Sequence, residues 1–281
     1  MGVFIGIIAC LLQTFKDSVS KELSAKVDGL VSSAASFVYA VPFYLLLLPV
    51  LFFLGAEDFS FTSAFWTFVL LRALTDSLAE TTKMYAFKYG NISTVSALMV
   101  ISKIMTVFIS PFITGDPFRI NTLWGVLLSI IGGYLIVFEK TEKPNWKCIS
   151  ITLISSLFFT LNVCLDRMCV QNASAVYSAF VITVIPGLML LPFVVFNKVK
   201  RGEFVSYYGL FSLRGFFETL FMITKLFALQ YITAPQWAAI SRVNVLFSVF
   251  SGGYYFKEKE VLRKIFGAVI TIIGVILAVN G

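Results

Sequence analysis

Twelve ionisable residues stand inside long apolar runs of this chain. Seven are cations: Lys16, Arg72, Lys83, Lys103, Arg214, Lys225 and Arg242. Five are acids: Asp17, Asp76, Glu80, Asp166 and Glu218. A charge at the centre of a bilayer costs about 2.5–3.5 kcal/mol on insertion scales. Groups of this kind persist where they face a partner, a bundle interior or a water-filled cavity. Their chemistry is therefore recognition and pairing. The excess of cations over acids gives a positive interior, which suits an anionic or zwitterionic solute.

The spacing of these residues supports an inward-facing role. At 100° per residue, Arg72, Asp76, Glu80 and Lys83 fall within an arc of about 80° on one helix. Arg214, Glu218 and Lys225 share a face of another. Gln13, Lys16, Asp17, Ser20 and Ser24 share a third, and Ser155, Phe159, Asn162, Asp166 and Cys169 a fourth. Arg72–Asp76, Glu80–Lys83 and Arg214–Glu218 have the i,i+4 or i,i+3 spacing of pairs within a helix. They are expected to act as structural pairs, as gates, or at a coupling proton site. Asp76 and Glu80, two like charges four residues apart, are the proton candidates. Lys103, Lys225 and Arg242 have no acid close in sequence, and Lys103 and Arg242 are the foremost substrate contacts. Lys16, Asp17, Asn162, Asp166, Lys225 and Tyr177 complete the expected binding set, and Phe159 is singled out beside Tyr177.

The elements that must carry these residues are transmembrane helices. Of 281 residues, 58% are apolar and 13% charged, against about 45–50% and about 25% in soluble domains. The apolar runs reach the roughly 20 residues that a helix needs to cross a bilayer. They lack the alternation of barrel strands. The chain is predicted to be an all-α polytopic membrane protein with ten spans, near 2–22, 30–54, 62–88, 92–113, 121–138, 148–170, 175–196, 205–230, 234–256 and 262–280. There is no histidine, which excludes His-based triads, HExxH zinc sites and His proton relays. No nucleophile–base motif is recognisable, so an enzyme is not expected, nor is a metal or cofactor. Cys10, Cys148, Cys164 and Cys169 form no CxxC pair and are read as buried free thiols.

The spans fall into two copies of five. LRALTDSLAETTKMYAFKY at 71–89 and LRGFFETLFMITKLFALQY at 213–231 share seven of nineteen positions. At the same offset of 142, GVLLSIIGGYLIV at 125–137 matches GAVITIIGVILAV at 267–279 in six of thirteen. Thr14 and Lys21 answer Thr160 and Arg167, and Pro42 and Pro49 answer Pro186 and Pro192. Five is an odd number, so the second copy (141–281) lies inverted against the first (1–140), with a site expected near the midplane where they meet. Gly125 and Gly132, with their mates Gly267 and Gly274, are expected to let spans 5 and 10 pack closely. Thirteen Lys and Arg lie in the loops after the odd-numbered spans, against Arg119 and Arg167 on the other face. That bias predicts both termini outside.

Two further motifs give a resemblance over the whole length. One is the aromatic-ended segment YAFKYGNISTVSAL (85–98) and its mate FALQYITAPQWAAI (227–240). The other is the acid-Gly-Gly ending of FKEKEVLRKIFGAVITIIGVILA (256–278), with Glu258, Gly267 and Gly274. With the repeat, the chain resembles the drug/metabolite transporter superfamily in its EamA-like branch. The resemblance implies ten helices, a central cavity lined by spans 1, 3, 4, 6, 8 and 9, and alternating access. Branches carrying phosphorylated solutes hold them with basic residues of spans 4 and 9, a role that Lys103 and Arg242 fit. The family often has a proline midway in those spans, which neither copy has here, and spans 3 and 8 carry more charge than in typical members. Many relatives have cytoplasmic termini.

The resulting expectation is a secondary active transporter of a small anionic or zwitterionic metabolite, such as an amino acid, another carboxylate or a phosphate ester. The alternatives are a multidrug or organic-cation exporter, a channel, or a non-transporting membrane protein. The expected partners are the solute, the lipid bilayer, and a coupling proton or an exchanged solute. Nucleic acid is not expected. A monomer in the cell (inner) membrane is expected, since both halves of the site lie in one chain.

Overall fold

The computed structural model describes residues 1–24, 26–53, 61–89, 95, 98–137, 146–244, 247 and 261–280. The helices follow in chain order as α1 (Gly2–Ser24), α2 (Gly29–Val38), α3 (Val41–Phe53), α4 (Ser63–Tyr89), α5 (Ile101–Ile113) and α6 (Ile120–Val137). Then come α7 (Trp146–Asn172), α8 (Ala175–Val195), α9 (Lys198–Ser206), α10 (Tyr208–Tyr231), α11 (Ala234–Ile240) and α12 (Val261–Asn280). Among the described residues the only β pairing is an isolated antiparallel bridge, Phe61 to Ala173. Four stretches are long and apolar enough to cross a membrane unaided: Gly2–Ser20, Gly29–Val50, Trp146–Asn172 and Ala175–Val195. The helices α4 and α10 carry more charge than such stretches, and Arg72, Asp76 and Glu80 on α4 and Arg214, Glu218 and Lys225 on α10 are buried. Spans 4 and 9 are described over α5 and α11, of 13 and 7 residues, shorter than the roughly 20 of a full crossing. Glu258 and four lysines of the charge bias (Lys140, Lys143, Lys257 and Lys259) lie outside the described residues.

Span 2 differs from expectation in being two helices. The break at Tyr39–Ala40 falls just ahead of Pro42, whose missing N–H and ring disfavour a continuous helix there. The corner is packed by α10. A Cβ on Gly215 would stand 2.5 Å from the Tyr39 carbonyl carbon and 2.8 Å from the Ala40 nitrogen. The Thr219 hydroxyl donates to the Ala40 carbonyl at 3.3 Å. Pro186 and Pro192 sit within α8 without dividing it.

The helices pair in a pattern that is symmetric under exchange of the halves. Each of spans 5 and 10 packs mainly on the other (α6 on α12), and spans 2 and 7 do likewise through α2 and α8. The other extensive pairs are α1 with α10 and α4 with α7, which are span 1 on span 8 and span 3 on span 6. The glycine expectation is met at the first of these. A Cβ on Gly132 would lie 2.5 Å from the Gly267 carbonyl, and one on Gly274 would lie 2.6 Å from that of Gly125. The backbones of α6 and α12 are thus in contact.

Loop contacts sort the helix ends into two faces. Asp28, after span 1, accepts from Lys200 at 3.5 Å, and its backbone N–H donates to Glu203 at 2.8 Å, both on α9 after span 7. Thr62, after span 2, bonds Asn172, after span 6, through both backbone and side chain. Asp116, after span 4, meets the Ala234 N–H, after span 8, at 3.0 Å. Odd-numbered loops meet odd, and even meet even.

Candidate substrate site

The charges gather in two knots, and two cations stand outside them. The first knot links α4, α7 and α10. Asp166 is fully buried and takes Arg72 Nε on one oxygen at 2.6 Å and Lys225 Nζ on the other at 2.5 Å. Arg72 also reaches Asp76, one turn on, at 2.8 Å. Asn162 donates to Asp76 at 2.9 Å and accepts from Thr75 at 2.6 Å. Every charge here is matched by an opposite one, as low-dielectric burial requires.

The second knot links α1, α4 and α10. Lys16 pairs with Glu218 at 3.2 Å. Lys83 pairs with Glu80 at 2.6 Å. Arg214 donates to the Ser32 carbonyl at 2.6 Å and stands 4.0 Å from Glu80. Asp17 is exposed and lies in the field of Lys16, Lys83, Glu80 and Arg214. Lys16 also lies over the Phe221 ring at 4.2 Å, and Lys83 over Phe159 at 5.3 Å, which adds a cation–π attraction to each.

Lys103 on α5 and Arg242 beyond α11 are the remaining two, both half-buried. Neither has an acid partner among the described residues. A Cβ on Gly133 of α6 would stand 3.1 Å from a terminal nitrogen of Arg242, whose Nε makes no hydrogen bond among the described residues. Lys103 lies in the field of Arg242, of Lys225 and of Asp17. Thr160 holds the neighbouring Ser102 carbonyl to α7 at 3.0 Å, and Thr14 holds the Asn244 carbonyl, two residues past Arg242, to α1 at 3.3 Å. The two segments bearing these cations are thus tied to the helices that bear the knots.

Of the three pairs expected within helices, Arg72–Asp76 and Glu80–Lys83 form. Arg214–Glu218 does not. Lys16 reaches across from α1 to take Glu218, and Arg214 finds a carbonyl of α2. Tyr177 is stacked on Phe61 with centroids 5.6 Å apart and lies close to Phe65 at 5.5 Å. Lys225 lies over the Trp237 ring at 6.0 Å, and sequence reading missed Trp237 with Phe221, Thr75 and Ser32. For two of the links between helices a signal was present in the repeat. Asp76 and Glu218 are mates at offset 142, and Lys16 and Asn162 are mates at offset 146. The links Asp76–Asn162 and Glu218–Lys16 are therefore one contact made twice. Thr160–Ser102 and Thr14–Asn244 are a second such couple.

A two-repeat helical chain with long apolar helices that bury opposed charges between them has the build of a polytopic membrane protein. The chain belongs to the EamA-like transporter family, whose model matches residues 1–138 and 146–280. It is accordingly a multi-pass membrane transporter of the drug/metabolite type. No curated protein matches the chain by sequence. A crystal structure of a protein 12% identical to it superposes with a TM-score of 0.67, over 99% of this chain and 97% of the other. At that identity the likeness speaks for the fold.

Proposed function

We propose that the chain is a secondary transporter that moves a small anionic or zwitterionic metabolite by alternating access. The observation that carries this reading is the pair Lys103 and Arg242. One comes from each half, and both are held between helices without an acid partner among the described residues. A solute carboxylate or phosphate is the partner whose charge fits them. In this reading residues 1–140 and 141–281 are inverted five-helix repeats that rock about the site. The matched couples Asp76–Asn162 and Glu218–Lys16, and the symmetric pairing of helices, support it. The knots act as gates: Lys16–Glu218 holds α1 to α10, and Arg72–Asp166 holds α4 to α7. The ten spans lie in the cell (inner) membrane, with the thirteen loop cations in the cytoplasm, both termini outside, and one chain as the working unit.

The test is a thermal-stability screen of the purified chain in detergent, followed by counterflow in proteoliposomes. A ligand that binds only the folded state raises its stability by about 2.7 kcal/mol at a hundredfold over the Kd. An amino acid, carboxylate or phosphate ester that stabilises the wild type and not Arg242→Ala supports the reading. Stabilisation by organic cations alone would replace it with the exporter.

A further inference from the structure

The segment between spans 7 and 8 folds as α9, and its two faces differ. The crossing stretch of α8 ends at Val195 and α10 starts at Tyr208, so α9 lies at the membrane boundary. Asn197 opens it by accepting from the N–H groups of Val199 and Lys200, which caps the first turn. At 100° per residue, Lys200, Glu203 and Phe204 share one face, and all three are partly buried. Lys200 reaches Asp28 at 3.5 Å, Glu203 accepts from the Asp28 N–H at 2.8 Å, and the Phe204 ring meets Tyr39 and Phe211. Lys198, Arg201 and Val205 fall within an arc of about 60° on the opposite face. All three are exposed, and neither cation has an acid partner among the described residues. Val199 on the helix, and Phe196 and Tyr208 at its ends, are exposed as well.

We infer that α9 is a binding site for an acidic phospholipid, whose headgroup lies on Lys198 and Arg201 and whose acyl chain lies in a groove between α3 and α10. The groove is open and apolar, lined by Phe43, Leu46, Leu47, Val50, Phe216 and Leu220. Both of its walls start near α9. Helix α10 follows α9 directly, and the Tyr39 hydroxyl, just ahead of α3, donates to the Phe204 carbonyl at 2.7 Å. Phe216 lies about 12 Å along α10, beyond the roughly 5–8 Å of a headgroup layer, where acyl carbons run. Apolar side chains exposed at a membrane boundary rest among lipid carbons, while the stems of Lys and Arg carry their charges up to the headgroups. Each such cation favours an anionic headgroup by about fivefold in affinity. A zwitterionic headgroup brings an ammonium with its phosphate and has no net charge to offer. The site lies outside the candidate substrate site and holds whatever the solute is.

The purified full chain in detergent micelles is titrated with phosphatidylglycerol or with phosphatidylcholine, and its melting temperature is followed. Phosphatidylglycerol is expected to raise it with an apparent affinity at least about tenfold higher than that of phosphatidylcholine. The preference is expected to shrink by at least about fivefold in the Lys198→Gln, Arg201→Gln double variant. It is expected to persist in Lys198→Arg, Arg201→Lys, and to shrink at high salt in the wild type, because exposed charges are screened. Both residues are exposed, so the variants are expected to melt as the wild type does when no lipid is added. Leu46→Trp, on the exposed wall of the groove, is expected to weaken both lipids alike, and unchanged affinities in it would overturn the placing of the acyl chain. Equal affinities for the two lipids, or a preference undiminished in the Gln variant or by salt, would overturn the inference. Glycerol phosphate, a headgroup without chains, is expected to give no shift that the Gln variant removes. Such a shift would mark a site for free phosphate and overturn the lipid reading.

Discussion

Asp166 ties α7 to both α4 and α10 through two buried cations. It is fully buried and is the acid that Arg72 and Lys225 share. Removing one member of a buried pair typically costs about 3–5 kcal/mol, because the partners stay buried without compensation. Asp166→Asn is expected to lose stability in that range, seen as a lowered melting temperature in detergent, and an unchanged melting temperature would contradict the arrangement. Lys83→Met is expected to cost only about 1 kcal/mol, since Arg214 stands 4.0 Å from the Glu80 that it leaves behind. The charged residues themselves were legible in the sequence, because a charge within an apolar run is conspicuous. Their partners were not, because pairing depends on which helix faces meet. The pair Arg214–Glu218 shows the reason. Its spacing within a helix was right, yet Lys16 on α1 reaches Glu218 and an α2 carbonyl takes Arg214. Lys83 and Lys225 are mates that part company for a reason visible in hindsight. The position matching Asp166 in the first repeat is Ser20, so Lys83 turns to Glu80 on its own helix.

At the scale of elements, the contact between α6 and α12 is the least tolerant of change. A Cβ at Gly132 would lie 2.5 Å from a backbone carbonyl, which cannot rotate away as a side chain can. Overpacking costs typically about 1–3 kcal/mol, and Gly132→Val is expected at the upper end or beyond, measured as loss of folded protein on gel filtration. Gly202→Ala on α9, where a Cβ meets nothing within 4 Å, is expected to be neutral or to stabilise by about 0.5–1 kcal/mol. Equal damage at both glycines would contradict the packing. The repeated Gly spacing announced this contact in the sequence. The division of span 2 was signalled by Pro42, but its place was not, because the near-equivalent Pro186 leaves α8 whole. What separates the two is the neighbour. The Tyr39–Ala40 corner is held by Gly215 and Thr219 of α10, a tertiary contact that no local pattern announces.

For the whole molecule, the duplication explains the architecture and its departures. Couples of contacts recur at matched positions, as at Asp76–Asn162 and Glu218–Lys16, and the helices pair in an arrangement that exchanging the halves preserves. Among the features without a like mate are Lys103 and Arg242, which answer Val245 and Val100 in the repeat alignment. These two cations, one from each half, are the ones on which the proposed anion site rests. The symmetry, the class and the candidate cations were legible from sequence, whereas the absence of an acid beside those two cations, among the described residues, emerges only once the chain is folded. The measurement that tests this claim most directly is counterflow of the best-binding anion by the Lys103→Ala, Arg242→Ala double variant in proteoliposomes, beside the wild type, with gel filtration to show that both are folded. The account predicts saturable counterflow by the wild type and its loss in a folded double variant. Counterflow near the wild-type rate in that variant would contradict it.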